Sequence, residues 1–313
     1  MKNQIKKLID DSQSILLLTH IRPDGDAVGS VLSIYNYLLT LNKDVDMVII
    51  EPPITFNFLP GYNNIKDNTD KYYDLGIVVD CATKERIGQN DDLLSKCNYK
   101  INIDHHVSNT RYGDTNYVCG EVSSCCQVIY DLFKENNINL SCEVCSCLAS
   151  GMITDTNGFR NDNVDSNTFL MAADLLNHGI DFHKIYEVVL FNKSLAKHNL
   201  MKIALDRLEL LYDGKIAFTY LLKEDFDNVG ATLGDHEGIV DIGRSIAGVE
   251  VSVFIRETDV FTISLRSTGS VDVNKIANSF GGGGHKMAAG GQIDKSLQET
   301  KNIVINEIKK VLL

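Results

Sequence analysis

The sequence predicts an α/β protein of two domains, with a parallel sheet in the N-terminal domain and a smaller α/β domain at the C-terminal side. Three observations lead to this prediction. The chain has 313 residues, enough for two domains at roughly 100–200 residues each. In the first half, short apolar runs alternate with amphipathic segments, as strands and helices do in a parallel sheet. After Gly214, β-branched and aromatic residues alternate with polar ones, which is typical of strands in a second sheet.

The elements of the first domain are predicted from these runs in chain order. Strands are predicted at 14–20, 45–50, 74–80 and 99–106, and helices at 26–42, 123–137 and 141–155. The segment from Phe182 to Leu211 is charged and contains no proline or glycine, so a helix is expected to join the domains. The expected boundaries are 1–185 for the first domain, 186–213 for the connecting helix and 214–313 for the second domain.

The second domain begins with three strand-like runs, KIAFTYLL, VEVSVFIRE and VFTISLRS. A helix, VDVNKIANSF, then leads into the glycine-rich segment GGGGHKMAAGG. The last predicted element is the amphipathic helix SLQETKNIVINEIKKVLL. No internal repeat or low-complexity tract interrupts this order.

The chain is acidic, with a net charge of −12 from 42 acidic and 30 basic residues. Proteins that bind long duplexes usually present a basic face, so this balance argues against a long duplex partner. Many carboxylates suit divalent cations instead. No stretch approaches the roughly 18 apolar residues of a membrane span. The N-terminus also lacks a signal-peptide pattern, so a cytoplasmic protein without a membrane partner is expected.

Eight cysteines are present, and in a cytoplasmic protein they are expected to be reduced thiols. The close spacing of Cys142, Cys145 and Cys147 is similar to that of a metal cluster. However, these three residues fall within a predicted buried helix, and no second pair of ligands stands at zinc-finger spacing. Small thiols of the core are therefore the favoured interpretation, with a zinc or redox site as the alternative.

Residue types that bind metals follow three of the predicted strands and one later apolar run. They are His20 at the end of the first strand with Asp24 and Asp26 after it, Asp80 at the end of the third, Asp104, His105 and His106 at the end of the fourth, and Asp155 after LASGMIT. In an open α/β sheet, ligands bind outside the carboxyl ends of the strands. A single aspartate in such a place commonly begins a turn or caps a helix, as Asp26 could. Four such segments at one edge instead predict a shared metal site.

Charge counting predicts two ions at this site. Four carboxylates packed at one edge would repel one another, and their pKa values would rise. Two divalent ions about 3.5–4 Å apart, bridged by one carboxylate, would neutralise that charge and suit hydrolysis at phosphorus. Mixed imidazole and carboxylate ligands favour Mn²⁺, with Mg²⁺, Co²⁺, Fe²⁺ or Zn²⁺ as alternatives.

The motifs resemble those of the DHH phosphoesterase superfamily over essentially the whole chain. They appear in order as HIRPDGDAVGS, GIVVDCA, DHHVSN and GMITDTNGFR, and GGGGHKMAAGG resembles the signature of the DHH-associated domain. A compact two-domain chain is similar to the nanoRNase branch, which degrades very short RNA to mononucleotides and dephosphorylates 3′-phosphoadenosine 5′-phosphate (pAp). The resemblance implies a hydrolase of short RNA, including pApA, with its active site in a cleft between the two domains.

The resemblance also implies a role for each motif residue. His20, Asp24 and Asp80 are expected to hold one ion, and Asp26, Asp80, His105 and Asp155 the other, so that Asp80 bridges both. His106 is expected to face the scissile phosphate as a hydrogen-bond donor or general acid, and Asp104 to orient a histidine. The ions would lower the pKa of a water that attacks phosphorus in line.

The second domain is expected to hold the nucleotide. Arg266 would pair with a phosphate, and the run Gly282, Gly283 and Gly284 beside His285 would let an anion approach the backbone. Considered alone, the glycines would form a flexible turn and Arg266 would be a solvated surface residue. Arg160 is a weaker candidate for a phosphate contact. A ligand of only a few nucleotides needs no long basic surface, which agrees with the acidic composition.

Three other activities are alternatives to this reading: a cyclic-di-AMP phosphodiesterase, a pyrophosphatase or polyphosphatase, and a non-catalytic nucleotide sensor. A degenerate sensor would usually lack one or more metal ligands, and none is missing here. The sequence does not rank short RNA, pApA and pAp as substrates. A homodimer is also left open, because no segment of the sequence defines an interface.

Overall fold

Six parallel strands form the sheet of the N-terminal unit in this computed structural model, which describes residues 2–312. They are β1 (Ser14–Leu18), β2 (Asp44–Val48), β3 (Ile65–Lys66), β4 (Tyr73–Val79), β5 (Cys97–Asp104) and β6 (Thr115–Val118). Their order across the sheet is β3-β2-β1-β4-β5-β6. In β1, Leu17 packs into the core on one face of the sheet, and Leu16 and Leu18 pack into the core on the other. The strand is apolar throughout because both of its faces are covered.

Helices of the same unit supply these two covering layers. They are α1 (Lys2–Asp11), α2 (Gly25–Thr40), α3 (Asp91–Ser95), α4 (Cys125–Glu135), α5 (Cys142–Asp155), α6 (Ser166–Asn177) and α7 (Phe182–Tyr186). The main partner of α2 is α5. Two glycines permit their close approach, because a Cβ at Gly29 would lie 2.6 Å from the carbonyl oxygen of Cys147, and a Cβ at Gly151 would lie 2.7 Å from Oδ1 of Asp26.

The strands and helices predicted for this unit are confirmed, with small differences at their ends. The helix predicted at 123–137 is α4, and it begins after Ser124, whose hydroxyl accepts the N–H of Gln127. The sequence analysis misses several shorter elements, among them β3 and β6. These strands have two and four residues, too few to show a periodic pattern.

The C-terminal unit is built on a mixed sheet with the order β11-β12-β10-β9-β8-β7. Its strands are β7 (Glu209–Leu211), β8 (Ile216–Leu221), β9 (Val251–Glu257), β10 (Phe261–Ser267), β11 (Gly283–Gly284) and β12 (Ala288–Ile293). Its helices are α8 (Leu195–Asp206), α9 (Lys223–Val229), α10 (Ile239–Arg244), α11 (Val273–Asn278) and α12 (Leu297–Leu312). β8 and β9 are parallel, and the other neighbours are antiparallel. α11 and α12 pack on one face of the sheet, and α8, α9 and α10 pack on the other.

The segment predicted as one connecting helix at 186–213 is broken into several elements. After α7, one π-helical turn runs over Glu187–Phe191, and the next α-helix begins only at Leu195. The π-helical turn ends at Asn192, whose backbone is not helical. Ser194 then begins the next helix, because its side chain accepts the N–H of Lys197. One compact unit ends at Asn192 and the other begins at Lys193. Within residues 2–312, no helix is both long and apolar enough to cross a lipid bilayer.

Candidate active site

The carboxyl ends of three neighbouring strands carry most of the predicted site residues. β1, β4 and β5 lie side by side and run in the same direction, so their ends meet at one edge of the sheet. His20 follows β1, Asp80 follows β4, and β5 ends at Asp104 with His105 and His106 directly after it. Asp26 in the first turn of α2 and Asp155 at the end of α5 come to the same edge. Asp155 therefore arrives from the end of a helix, in agreement with the helix predicted at 141–155.

Three groups of ligand atoms at this edge are close enough to hold a metal ion. The groups are His20, Asp24 and Asp80; Asp26, His105 and Asp155; and Asp80, His105 and His106, with all atoms of a group within 4.8 Å of one another. Asp80 links the first two groups. Its Oδ2 lies 3.5 Å from Nε2 of His20, and its Oδ1 lies 3.5 Å from Nε2 of His105. Among the described residues, no such group includes a cysteine.

Two helix N-termini position the aspartates of the first motif. Asp24 caps α2, because its carboxylate accepts the N–H groups of Asp26 and Ala27, each at 3.0 Å. Asp26 does not cap its own helix. Its carboxylate accepts the N–H groups of Cys125 and Cys126 at 2.6 and 2.9 Å, at the first turn of α4. The positive end of a helix stabilises a buried carboxylate, so α4 fixes Asp26.

Backbone carbonyls orient two of the histidines. Nδ1 of His20 lies 2.8 Å from the carbonyl oxygen of Ile21, and Nδ1 of His105 lies 3.5 Å from that of Val122. A carbonyl oxygen only accepts, so the short contact places a proton on Nδ1 of His20 and leaves its Nε2 for a cation. This is the tautomer that a metal-binding histidine needs. The longer contact of His105 turns its Nε2 toward the same cluster.

His106 is held by a different partner. Its Nδ1 lies 2.8 Å from Oδ1 of Asp104, and about a third of the His106 side chain is exposed. The buried carboxylate of Asp104 also accepts the N–H of His105 at 2.8 Å and the side-chain amide of Asn109 at 2.6 Å. Burial would raise the pKa of Asp104, but the hydrogen bonds from His106 and Asn109 outweigh it and hold that pKa below its usual value. Asp104 is therefore an anion that orients His106.

Burial and mutual repulsion destabilise the charged forms of the other carboxylates. Burial and then the negative charges of Asp26 and Asp24 raise the pKa of Asp80 well above its usual value. Burial and the charge of Asp26 likewise raise the pKa of Asp155 to about 7. Oδ1 of Asp80 is buried and accepts no hydrogen bond from the described residues. Divalent cations would relieve all three effects, so the oxygen and nitrogen donors at this edge fit such ions.

The glycines of GGGGH are explained mainly by the packing of a hairpin. A Cβ at Gly282 would lie 2.2 Å from the carbonyl oxygen of Gly290, and Gly284 has a φ of 152° with its Cβ position 2.5 Å from the carbonyl oxygen of Ala288. The N–H of Gly282 donates to Ala277 and that of His285 to Ala288. Two of the N–H groups expected to approach an anion are thus already used within the chain.

Arg266 and His285 lie close together on this hairpin. Arg266 of β10 pairs in register with Ala288, which exchanges backbone hydrogen bonds with His285. The side chain of His285 is exposed and that of Arg266 is half-buried. Arg160 belongs to the first unit, in the loop after α5, and is exposed. Binding of a nucleotide by these three residues stays a prediction.

The sequence analysis gives no role to two features of this site. Asn109 lies in the DHHVSN motif, but its hydrogen bond to Asp104 could not be assigned from spacing. The backbone N–H groups that hold Asp26 belong to Cys125 and Cys126, whose side chains give no sign of this function. A serine before a helical pattern marks the beginning of α4, and this was the one available signal.

An α/β sheet whose carboxyl edge gathers aspartates and histidines into adjacent groups that could hold cations is typical of metal-dependent hydrolases. Residues 14–152 match the family model described as DHH family, N-terminal domain, and residues 213–312 match that of the DHHA1 domain. The chain belongs to the DHH family and is a phosphoesterase, with the DHHA1 domain as its second unit.

Relatives with similar sequences extend over nearly the whole chain. The bifunctional oligoribonuclease and PAP phosphatase NrnA of Thermus thermophilus is 30% identical, and the match covers 88% of this chain and 83% of that protein. The protein of the same name from Bacillus subtilis is 28% identical, with coverages of 94% and 93%. Among solved structures, an exopolyphosphatase-related protein from Bacteroides fragilis has a TM-score of 0.91 and 29% identity, covering 99% of this chain and 95% of that one.

Proposed function

We propose that this chain hydrolyses very short RNA, including pApA, to nucleoside 5′-monophosphates, and pAp to AMP, with two divalent cations of which Mn²⁺ is the expected one. One observation carries the proposal. The chain that gathers these aspartates and histidines at one edge is 30% identical, over most of its length, to relatives named for oligoribonuclease and PAP phosphatase activity.

The two cations are assigned to two of the groups at the sheet edge. His20 and Asp24 serve one ion, and Asp26, His105 and Asp155 serve the other, with Asp80 bridging both. When bound, such ions activate a water and stabilise charge on phosphoryl oxygens. The raised pKa values of Asp80 and Asp155 support this assignment, because a carboxyl with that environment gains most from a cation.

His106 is assigned to the substrate. Its Nδ1 is bound to Asp104, so the ring is fixed and the other nitrogen is left for a phosphoryl or leaving-group oxygen. In the second unit, Arg266 and His285 are assigned to the nucleotide, as the phosphate-binding and base- or ribose-contacting groups.

The direct test compares substrates side by side with purified protein in Mn²⁺. The panel is pApA, a five-nucleotide RNA, pAp, cyclic di-AMP, pyrophosphate and polyphosphate, and the Asp80→Ala variant serves as the control. Mononucleotide release from pApA and the five-nucleotide RNA, and AMP from pAp, is the expected result, with no turnover by the variant.

Three outcomes would redirect the assignment. Polyphosphate is the competing substrate, because the structurally similar Bacteroides fragilis protein is described as exopolyphosphatase-related. Turnover of polyphosphate or pyrophosphate without turnover of pApA would show that the chain is a polyphosphatase or pyrophosphatase. Cleavage of cyclic di-AMP in preference to pApA would instead favour a cyclic-dinucleotide phosphodiesterase. No turnover of any substrate, with Mn²⁺ bound, would favour a sensor.

A further inference from the structure

All four arginines of the first unit lie in segments that follow its strands or α5 at the carboxyl edge of its sheet, with Arg86 in a short 3-10 helix. They are Arg22, Arg86, Arg111 and Arg160. The side chains of all four are exposed, and none forms an ion pair with a residue in the part of the chain that the structure describes. Arg160 is already a candidate for a phosphate contact, but the other three have no role in the site so far.

Arg22, Arg86 and Arg111 occupy three adjacent loops. They follow β1, β4 and β5, which are neighbours in the sheet and so lie roughly 4.8 Å apart. Backbone hydrogen bonds tie the loops to one another. The N–H of Ile21 donates to the carbonyl of Arg86 at 2.8 Å, and the N–H of Thr110 donates to that of Ala82 at 2.9 Å. The three arginines therefore form a row along the edge, which we call the arginine row.

The arginine row runs beside the cluster of aspartates and histidines. Arg22 is two residues from His20. The carbonyl of Arg86 accepts the N–H of Ile21, the residue next to that histidine, at 2.8 Å. Arg111 lines a groove of about 590 Å³ together with His106 and Asn109. Each arginine of the row therefore lies next to a loop that carries a proposed catalytic or metal-binding side chain.

Two of the arginines have a strained backbone. Arg22 and Arg111 have φ values of 54° and 56°, in the left-handed region that residues with a Cβ seldom adopt. The strain at Arg111 is held by its own N–H, which donates to Oδ1 of Asn109 at 2.6 Å. Asn109 is the residue that also fixes Asp104. Strain of this kind concentrates at ligand-binding sites, where the surrounding structure enforces it.

The chemistry of the arginine row fits phosphate. The guanidinium group presents a planar fork of donors that pairs with phosphate oxygens, and it stays charged at any working pH. The chain as a whole has a net charge of −12, so an anionic oligonucleotide needs a local positive field to approach the site.

We infer that Arg22, Arg86 and Arg111 bind the phosphates next to the scissile one in a short oligonucleotide. This inference rests on the proposed function and deepens it, because it places a second phosphate-binding element within the first unit. It also predicts a preference for substrates that carry a phosphate beyond the one cleaved.

The test uses the full chain with Mn²⁺ and two substrates, a diadenylate with a 5′-phosphate and the same dinucleotide without it. Each arginine is replaced by glutamine, singly and together, and kcat/KM is measured at several salt concentrations. Lys7→Gln is the matched control, since Lys7 is also exposed, forms no ion pair with a described residue, and lies in α1, which contributes no residue to the site. Each arginine variant is expected to lose about tenfold on the phosphorylated substrate and less on the other. The slope of log kcat/KM against log salt should flatten by about 0.7 per arginine that contacts a phosphate.

Three results would overturn the inference. These are unchanged kinetics in all the variants, an equal loss on both substrates, and an unchanged salt slope despite lower activity. If the wild type cleaves neither dinucleotide, the proposed function fails by itself. Equilibrium binding of the phosphorylated dinucleotide in Mn²⁺ then tests the arginine row, with the same flattening of the salt slope expected and its absence counting against the row.

Discussion

Asp80 is the carboxylate at the centre of the proposed metal site. It follows β4 with a left-handed backbone, at a φ of 52°, and its carboxylate lies between His20 and His105. Its Oδ1 is buried and accepts no hydrogen bond from the described residues. A buried carboxylate without a donor destabilises a fold by several kcal/mol at most sites. Its presence is understandable if a cation completes it, which is the role proposed here.

Metal binding is expected to weaken as the pH falls below about 7. The pKa of Asp155 in the metal-free protein is raised to about 7, so its carboxyl takes up a proton below that pH and competes with the cation. The apparent affinity for Mn²⁺ should fall by up to about tenfold per pH unit for each proton released. Calorimetry in two buffers of different ionisation heat measures that proton release directly.

The stability of the metal-free protein should respond to pH with the opposite sign. Because the folded-state pKa of Asp155 lies above the unfolded value, the native state binds more protons, and stability falls as the pH rises from about 4 to 7. Asp155→Asn should remove this part of the pH dependence. Equal Mn²⁺ affinity at pH 6 and pH 8 in the wild type would contradict both expectations.

His105 and His106 are neighbours in the chain but should behave differently when replaced. His105→Gln removes a proposed ligand and should weaken the binding of one ion. His106→Gln should leave two ions bound and lower kcat by roughly 10²–10⁴-fold, as expected for loss of an acid or donor to the substrate. The structure also places His106 near Asp80 and His105, at metal-binding distance. Loss of one ion in His106→Gln would therefore assign this residue to the metal instead.

The sequence predicted the charged residues of the site but not the donors that fix them. Aspartate and histidine at strand ends have a recognisable pattern, because parallel strands bring their ends to one edge. The N–H groups of Cys125 and Cys126 that hold Asp26 are backbone groups, and any residue type can supply them. The bond from Asn109 to Asp104 depends on the path of a loop. Such features become visible only in three dimensions.

At the scale of elements, the packing of α2, α4 and α5 sets the position of Asp26. A Cβ at Gly151 of α5 would lie 2.3 Å from Sγ of Cys126 and 2.7 Å from Oδ1 of Asp26. The approach of these helices therefore depends on a missing side chain, and the same contact adjoins the proposed metal site. Packing of the core and geometry of the site are coupled at this point.

Gly151→Ala is expected to lower both stability and metal affinity. Alanine favours a helix over glycine by about 1 kcal/mol, but overpacking in a closed core costs about 1–3 kcal/mol. A contact of 2.3 Å makes the second effect the larger one. Urea denaturation and Mn²⁺ titration measure the two quantities. Gly234→Ala is the control, because its Cβ would meet only Oγ1 of Thr232, at 3.9 Å. A variant of Gly151 as stable as the wild type, with unchanged affinity, would show that the helices can separate freely.

The elements that the sequence predicted are the long, strongly patterned ones. β1 and β4 are apolar runs, and α2 has a helical period over 16 residues. The segment after α7 has no proline or glycine, and its charged residues suggested an uninterrupted helix. One capping serine, Ser194, was enough to begin a new helix within it. Caps act on single N–H groups, so they outweigh composition locally.

At the scale of the whole molecule, the proposed metal ligands and the proposed nucleotide-binding residues of the GGGGH region belong to different units. All the proposed metal ligands precede Asn192 and so lie in the first unit, whereas Arg266 and His285 lie in the second. A ligand that binds one unit stabilises that unit against unfolding. Metal binding should therefore be measurable as an increase in the stability of the first unit, even if no substrate is turned over.

Addition of Mn²⁺ is expected to raise the unfolding temperature of the first unit. At a free concentration 100 times its Kd, one ion contributes about 2.7 kcal/mol, a shift of roughly 5–10 °C for a unit of this size. The order of stability of Asp80→Asn and the wild type should depend on whether Mn²⁺ is present. Without metal the variant should be the more stable protein, because it lacks a buried and repelled carboxylate. With Mn²⁺ the wild type should be the more stable one. Scanning calorimetry of both proteins with and without Mn²⁺ tests this crossing, and equal stabilisation of the two by Mn²⁺ would exclude Asp80 as a bridging ligand.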